Sequence, residues 1–268
     1  MGTPALAASA PVVLSVADGI ASIRFHRPEV LNAIDVSTAI CLRDAVFSAT
    51  RDAAVRVIVL SGEGRAFVAG GDLATFRDAG DNAPQAAAEL IAPMHEAIEA
   101  LAAADQPVLA SVHGAVAGAG MSLMMAADLA IAADDAVFSL AYVKVAATPD
   151  CSASWTLPRL VGLRAAMEIA LLAESLNADE AARLGLVNRV VALHTLEAET
   201  AALARRLAAA APLALAGTKR LLREGLDRSL SQQLAAEHAA FVAGAGTQDF
   251  REALSAFFDK RKPVFHGR

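Results

Sequence analysis

The chain has 268 residues, a formal net charge of −6, 56% hydrophobic residues and two cysteines. That length can bury one large core, or a core with a small appendage. The acidic balance excludes the basic stripe that a nucleic-acid surface needs. Cys41 and Cys151 make no disulfide framework and fit a reducing, cytoplasmic setting, and no run of about 20 strongly apolar, charge-free residues is present to cross a membrane.

In chain order, residues 1–11 (MGTPALAASAP) are short, apolar and uncharged, without the basic start of a secretory signal. They are expected to form a flexible leader. Strand patterns follow at Val12–Val16, Ile20–Phe25, Val55–Leu60, Val108–Val112, Leu129–Ala133 and Leu186–Val191. Most are short, continuous Val/Ile/Leu runs, as in parallel strands buried on both faces. Helical patterns lie between them. Ser37–Arg51 can place Ile40, Ala45, Val46 and Ala49 on one face, Gln85–Ala103 carries Leu90, Met94, Ile98 and Leu101 at helical spacing, and a third pattern covers Ala165–Ala173. Met121–Ala133 is apolar but interrupted by Asp128, which predicts a buried helix followed by a buried strand. Strands stop near Glu197, and helices continue through Leu234–Phe241 and Asp249–Phe258. The alternation predicts an α/β core over residues 12–200 with crossover connections, and a helical region over 201–268 that serves as lid or assembly element.

Two glycine-rich loops each leave a strand and open a helix. The first is Ser61-Gly-Glu-Gly-Arg-Ala-Phe-Val-Ala-Gly-Gly-Asp-Leu73, in which Ala69, Gly70 and Gly71 admit close approach and Asp72 can cap the next helix. The second is Val112-His-Gly-Ala-Val-Ala-Gly-Ala-Gly-Met-Ser-Leu123. Unpaired N–H groups at such a helix start favour negative charge. A dinucleotide-binding turn fits poorly, because Leu123 stands where the third glycine should be and Asp134 and Asp135 lie too near for a ribose-binding acid. A capped turn is the plain reading of either loop alone. Together they can converge two N–H donors on one oxygen, which suits an enolate or tetrahedral oxyanion. No CxxC or HExxH is present, so no structural metal is expected.

With the earlier segment Arg27-Pro-Glu-Val-Leu-Asn-Ala33, these loops resemble the crotonase (enoyl-CoA hydratase/isomerase) family, whose marks R-P-x-x-x-N-A, A-F-x-A-G-x-D-L and V-x-G-x-x-x-G-x-G stand here in order. The tail Phe250–Lys262 is similar to the family's ending, so the resemblance covers about residues 12 to 265. It implies a right-handed spiral of strand–strand–helix turns with a C-terminal helical region that packs trimers, often stacked as hexamers. It implies an acyl-CoA thioester substrate, with coenzyme A as part of that substrate and no permanently bound cofactor. The oxyanion donors fall on Gly71 and Ala119. CoA would lie along Glu29, Val30, Leu31, Ala69, Gly70, Asp72 and Leu73, with Gly118, Ser122 and Tyr142 toward the acyl group. Phe241, Phe257 and Lys260 would supply lid and phosphate contacts, often across a subunit boundary; helix packing is the alternative for the two phenylalanines.

The hydratases' two glutamates fall here on Ser122 and Tyr142, neither of which can activate water as a carboxylate does. Asp150, in Thr148-Pro-Asp-Cys-Ser-Ala-Ser-Trp-Thr-Leu-Pro-Arg159, resembles the single acid of the branch holding Δ3,Δ2-enoyl-CoA isomerases and the ring-opening isomerase of phenylacetate breakdown. Relatives usually carry glycines where Ser152 and Ala153 stand. Asp150 can instead be a helix N-cap after Pro149. The resemblance thus points to an enoyl-CoA isomerase with Asp150 as acid/base. An altered hydratase or a catalytically weak acyl-CoA-binding member are the alternatives. Tyr142 can line the acyl pocket or bond Asp150. His113 is expected to be structural, His95 to be a surface residue, Trp155 to be core, and Cys151 to lack a neighbouring histidine.

Overall fold

The computed structural model describes residues 10–268. All but two residues of the expected leader therefore lie outside the described residues. A six-stranded sheet is built from β1 (Val12–Ala17), β2 (Ile20–Phe25), β3 (Val57–Gly62), β5 (Val108–Val112), β7 (Leu129–Ala133) and β10 (Arg189–Val191), in that spatial order. Only the β1–β2 hairpin is antiparallel. A second sheet of β4 (Ala66–Val68), β6 (Ala115–Ala117), β8 (Val137–Ser139) and β9 (Leu176–Asn177) stands beside it, in the order β4-β6-β8-β9. Each long parallel strand hands the chain to a short strand of the second sheet: β3 to β4, β5 to β6, β7 to β8. Helices then return it: α2 (Leu73–Ala79) and α3 (Ala83–Ala103), α4 (Ala119–Ala126), and α5 (Ala153–Val161) with α6 (Leu163–Leu172). This is the expected spiral of ββα turns.

The central strands are apolar throughout because both faces are covered. Ile58, Leu60, Ala110 and Val112 face the main core with α1 (Val36–Arg51) and α3. The alternate residues Val57, Val59, Leu109, Ile131 and Ala133 pack on Leu196 and Ala204 of α8 (Leu196–Ala208), which runs through residue 200. The short helix α7 (Ala178–Leu184) precedes β10, and α9 (Pro212–Gly225), α10 (Leu230–Ala245) and α11 (Gln248–Phe258) complete the C-terminal region. Asp128, the one charge in the apolar stretch, receives Lys219 at 2.9 Å and Arg223 at 2.7 Å from α9 and accepts from Val108 N–H at 2.8 Å. It ties the C-terminal helices to the sheet. Burial lowers the Lys219 ammonium's pKa, with Asp128 opposing that shift.

Several expectations are corrected. β3 begins at Val57, because Val55 closes a turn onto Asp52. The strand expected at Leu186–Val191 is confined to Arg189–Val191; Leu186 and Val187 enter the core from the preceding turn. Ile40 is 38% exposed, and Thr38, Ala39 and Leu42 share the buried face of α1 with Ala45, Val46 and Ala49 instead. Trp155 is not core: it is 44% exposed and stacks under the Arg159 guanidinium, 3.9 Å from its ring centre. Leu90, Met94, Ile98 and Leu101 are buried as expected. No described helix is long and apolar enough to cross a membrane.

The R-P-x-x-x-N-A segment is a brace. Asn32 is fully buried, and its side-chain amide donates to the carbonyls of Glu63, Ala66 and Phe67 at 2.9–3.0 Å. Its carbonyl accepts from Arg27 N–H at 2.8 Å. Arg27 pairs with Asp35 at 3.1 Å and Asp72 at 3.5 Å. Replacing Asn32 by Ala strands several buried polar groups, so Asn32→Ala should lose at least about 2 kcal/mol of unfolding free energy in a urea titration.

Candidate active site

The two glycine loops meet. Ile34 N–H bonds Gly70 O at 2.8 Å, Asp72 N–H bonds Ile34 O at 2.8 Å, and Ala69 N–H bonds Leu31 O at 3.0 Å, which brings Glu29, Val30 and Leu31 beside Ala69–Leu73. Glu29, Val30 and Leu73 are solvent-exposed there. Asp72 caps α2, accepting from Ala74 N–H at 3.1 Å. Across from this loop, α4 starts against β4: a β-carbon at Gly120 would lie 2.2 Å from the Val68 carbonyl oxygen. One at Gly118 would touch the Gly70 α-carbon at 3.5 Å. Gly70 has φ +114° and Gly118 φ +49° with ψ −122°, backbone that side chains rarely tolerate. Gly71 and Ala119 directly follow these touching glycines. Neither of their N–H groups finds an acceptor among the described residues. The phenyl edge of Phe76 lies over Gly71, a contact that sequence reasoning did not identify.

Asp150 is not a helix cap. The N-cap of α5 is Ser152, with φ +66° and no side-chain capping bond, and Cys151 before it has φ +50°. The left-handed pair turns the chain sharply and frees the Asp150 carboxylate to accept from the Tyr142 hydroxyl. Ser122, fully buried on α4, bonds the same Tyr142 oxygen at 3.0 Å and donates to Gly118 O at 3.1 Å. Ser122, Tyr142 and Asp150 therefore form one connected group that ends on the second glycine loop. Burial, then the Asp150 charge, push the Tyr142 phenol far above its ordinary pKa, so it remains a proton donor.

The expectation that Cys151 lacks a neighbouring histidine is corrected. The Nε2 of His95, an exposed residue of α3 as expected, accepts from the Cys151 N–H at 3.3 Å, so Cys151 does have a histidine neighbour. Nothing in the local sequence signals the pairing across 56 positions. The Cys151 thiol is fully buried, and burial with the Asp150 charge drives its pKa upward, which disfavours a thiolate nucleophile. His113 is structural: its Nε2 lies 2.9 Å from Gly64 O.

Phe241, Phe257 and Lys260 stay apart from the loops within one chain. Phe241 is 71% and Phe257 76% exposed, with edge contacts only to Phe250 and Phe258. For Phe241 the edge contact with Phe250 is packing between α10 and α11, and most of both the Phe241 and Phe257 rings stays exposed in the protomer. Lys260 ends α11, bonding Phe257 O through its backbone. Among the described residues, no group of three or more His, Cys, Asp or Glu could hold a metal ion.

The model of the enoyl-CoA hydratase/isomerase family matches residues 15–268. The chain belongs to the enoyl-CoA hydratase/isomerase family. It is 40% identical over 253 residues to a protein of Rhodobacter capsulatus named "Probable enoyl-CoA hydratase", covering 94% of this chain and 96% of the relative. It is 33% identical over 258 residues to the 1,2-epoxyphenylacetyl-CoA isomerase of Escherichia coli, covering 96% and 98%. The crystal structure of an enoyl-CoA hydratase from Polaromonas superposes with a TM-score of 0.91 at 34% identity, covering 95% of this chain and 99% of that one. The family handles acyl-CoA thioesters, and the spiral with its helical C-terminal region is its crotonase-type fold. Relatives named for hydration and for isomerisation both span nearly the whole chain, so reaction type must be argued from the site.

The contact between Gly70 and Gly118 carries the arrangement of the loops. Gly118→Ala should lose roughly 1–3 kcal/mol of stability in a urea titration, from backbone strain at φ +49° alone.

Proposed function

We propose that this protein is an enoyl-CoA isomerase that stabilises a thioester enolate with the N–H groups of Gly71 and Ala119 and moves the proton with Asp150. The supporting observation is that one carboxylate, Asp150, stands at the end of a hydroxyl pair, Tyr142 and Ser122, in the positions where the family's hydratases place two glutamates. With a 3-enoyl-CoA, the carboxylate takes a proton from C2 while the C–H electron pair enters a dienolate whose charge rests on the thioester oxygen. The same carboxyl returns the proton to C4, giving the conjugated 2-enoyl-CoA. Each N–H donor is worth about 2.7–4 kcal/mol as that oxygen gains charge. An epoxide-bearing acyl-CoA suits the same pair of devices. CoA lies along Glu29–Leu31 and Ala69–Leu73, with no permanently bound cofactor.

The exposed phenylalanines support assembly. Phe241 and Phe257 on α10 and α11 complete the acyl pocket of a neighbouring subunit in a trimer or a dimer of trimers, where Lys260 reaches a CoA phosphate. A second reading, a hydratase with a rearranged acid/base set, is favoured by one observation: His95 beside the Asp150 segment offers a second proton-transfer group.

Incubation with 3-enoyl-CoA should yield conjugated product by ultraviolet absorbance. Asp150→Asn should lose at least about 100-fold in turnover, as expected for removal of a positioned acid/base, while CoA-ester binding stays within a few-fold. Unchanged turnover in that variant removes Asp150 as the base, and faster hydration of crotonyl-CoA than isomerisation supports the second reading. Phe241→Glu with Phe257→Glu should shift the protein toward monomers in sedimentation velocity.

A further inference from the structure

The carbonyl of Gly118 and the N–H of Ala119 are two ends of one peptide group. Gly118 O accepts two hydrogen bonds from Ser122, from its N–H at 3.0 Å and its hydroxyl at 3.1 Å. A helical serine often bonds back to the carbonyl four residues earlier. Here the same hydroxyl also meets Tyr142, which meets Asp150. We propose that Ser122 and Tyr142 are positioning residues forming a hydroxyl relay, through which protonation of Asp150 strengthens the Ala119 N–H as a hydrogen-bond donor.

The number of protons along this chain of contacts depends on the charge of Asp150. Three contacts run in series: Gly118 O with Ser122 Oγ, Ser122 Oγ with Tyr142 Oη, and Tyr142 Oη with Asp150 Oδ1. When Asp150 is ionised, only the two hydroxyl protons serve these three contacts. Tyr142 gives its proton to the carboxylate, and the Ser122 proton is divided between Tyr142 Oη and Gly118 O. When Asp150 carries a proton on Oδ1 there are three protons for three contacts. Asp150 then donates to Tyr142, Tyr142 to Ser122, and Ser122 commits to Gly118 O. A hydrogen bond into a peptide oxygen polarises the group and makes its N–H a better donor, and chains of such bonds reinforce one another.

This inference rests on the oxyanion reading proposed above and deepens it. In that reading the proton leaves C2 for Asp150 in the step that places negative charge on the thioester oxygen. Once the carboxyl turns the captured proton onto Oδ1, toward Tyr142, the relay strengthens the Ala119 donor in the enolate state, and it relaxes when the carboxyl turns back and the proton returns to carbon. The groups around Asp150 are consistent with this. The Tyr142 phenol and the Cys151 thiol both stay protonated for the reasons given above, and His95 from α3 is engaged by the Cys151 N–H.

The test uses 4-aminobenzoyl-CoA, an aryl thioester with no α-hydrogen and no alkene, so it reports polarisation without turnover. Its absorbance moves to longer wavelength as the carbonyl is polarised. In the wild-type protein the red shift of the bound probe should grow as pH falls. The growth should vanish in Ser122→Ala, in Tyr142→Phe and in Asp150→Asn, and persist in His95→Gln. Ser122→Ala should also lower kcat by roughly two- to eightfold, the effect of removing 10–30% of a donor worth 10²–10³ in rate, with KM changed by less than about twofold. A pH response retained in Ser122→Ala or Tyr142→Phe, or absent from the wild type, overturns the relay. A red shift with no isomerase activity removes the proposed reaction and leaves the relay standing. No red shift at any pH removes both.

Discussion

The site depends on the close approach of two backbones. Gly70 and Gly118 come from loops that leave different strands, and a β-carbon on either would lie in van der Waals contact with the other's α-carbon. Both have positive φ, so each aims its following peptide in a direction that other residues seldom allow. Gly120 lets the first turn of α4 seat on Val68, which fixes how far that helix can approach. The spiral exists, in this sense, to stack two strand-to-helix turns. Parallel strands β3 and β5 are in register, their continuations β4 and β6 pair as well, and the loops that follow are therefore neighbours.

Around that contact the chain places braces rather than further apolar packing. Asn32 gathers three carbonyls of the first loop, and Arg27 reaches both Asp35 and Asp72. These groups are costly to bury unpaired, so their value lies in fixing one loop geometry out of many. Asp128 does the equivalent for the C-terminal helices, since its two cationic partners on α9 hold that helix against the end of α4. Beyond α9, the helices present a largely apolar surface: Leu230, Phe241, Phe257 and Phe258 are all strongly exposed in the single chain. Such a surface is characteristic of an assembly face, and it accounts for the apolar residues that the last helices keep outside the core.

The surroundings of Asp150 are organised by polarity in a confined space. Tyr142 holds its proton and points it at Asp150, and Ser122 connects Tyr142 to the loop that carries Ala119. A hydratase-like carboxylate at either position would be a second negative charge near Asp150. In the proposed mechanism, hydroxyls in those places let a single carboxylate be both the acceptor and the donor of one proton.

The sequence by itself determined the spiral's long strands, the principal helices and the two loops, because continuous apolar runs and glycine clusters are local signals with local causes. It also offered Asp150 as a candidate, with Tyr142 open to lining the acyl pocket or bonding it; the structure shows the bond. The short strands β4, β6, β8 and β9 have two or three residues each and no periodicity to detect; only pairing across the second sheet makes them strands. His95 joins the Asp150 segment across 56 positions, and Trp155 lies outside the core because the left-handed Cys151–Ser152 turn sets the direction of α5. Those features follow from where distant segments come to rest against one another, which no window of neighbouring residues encodes.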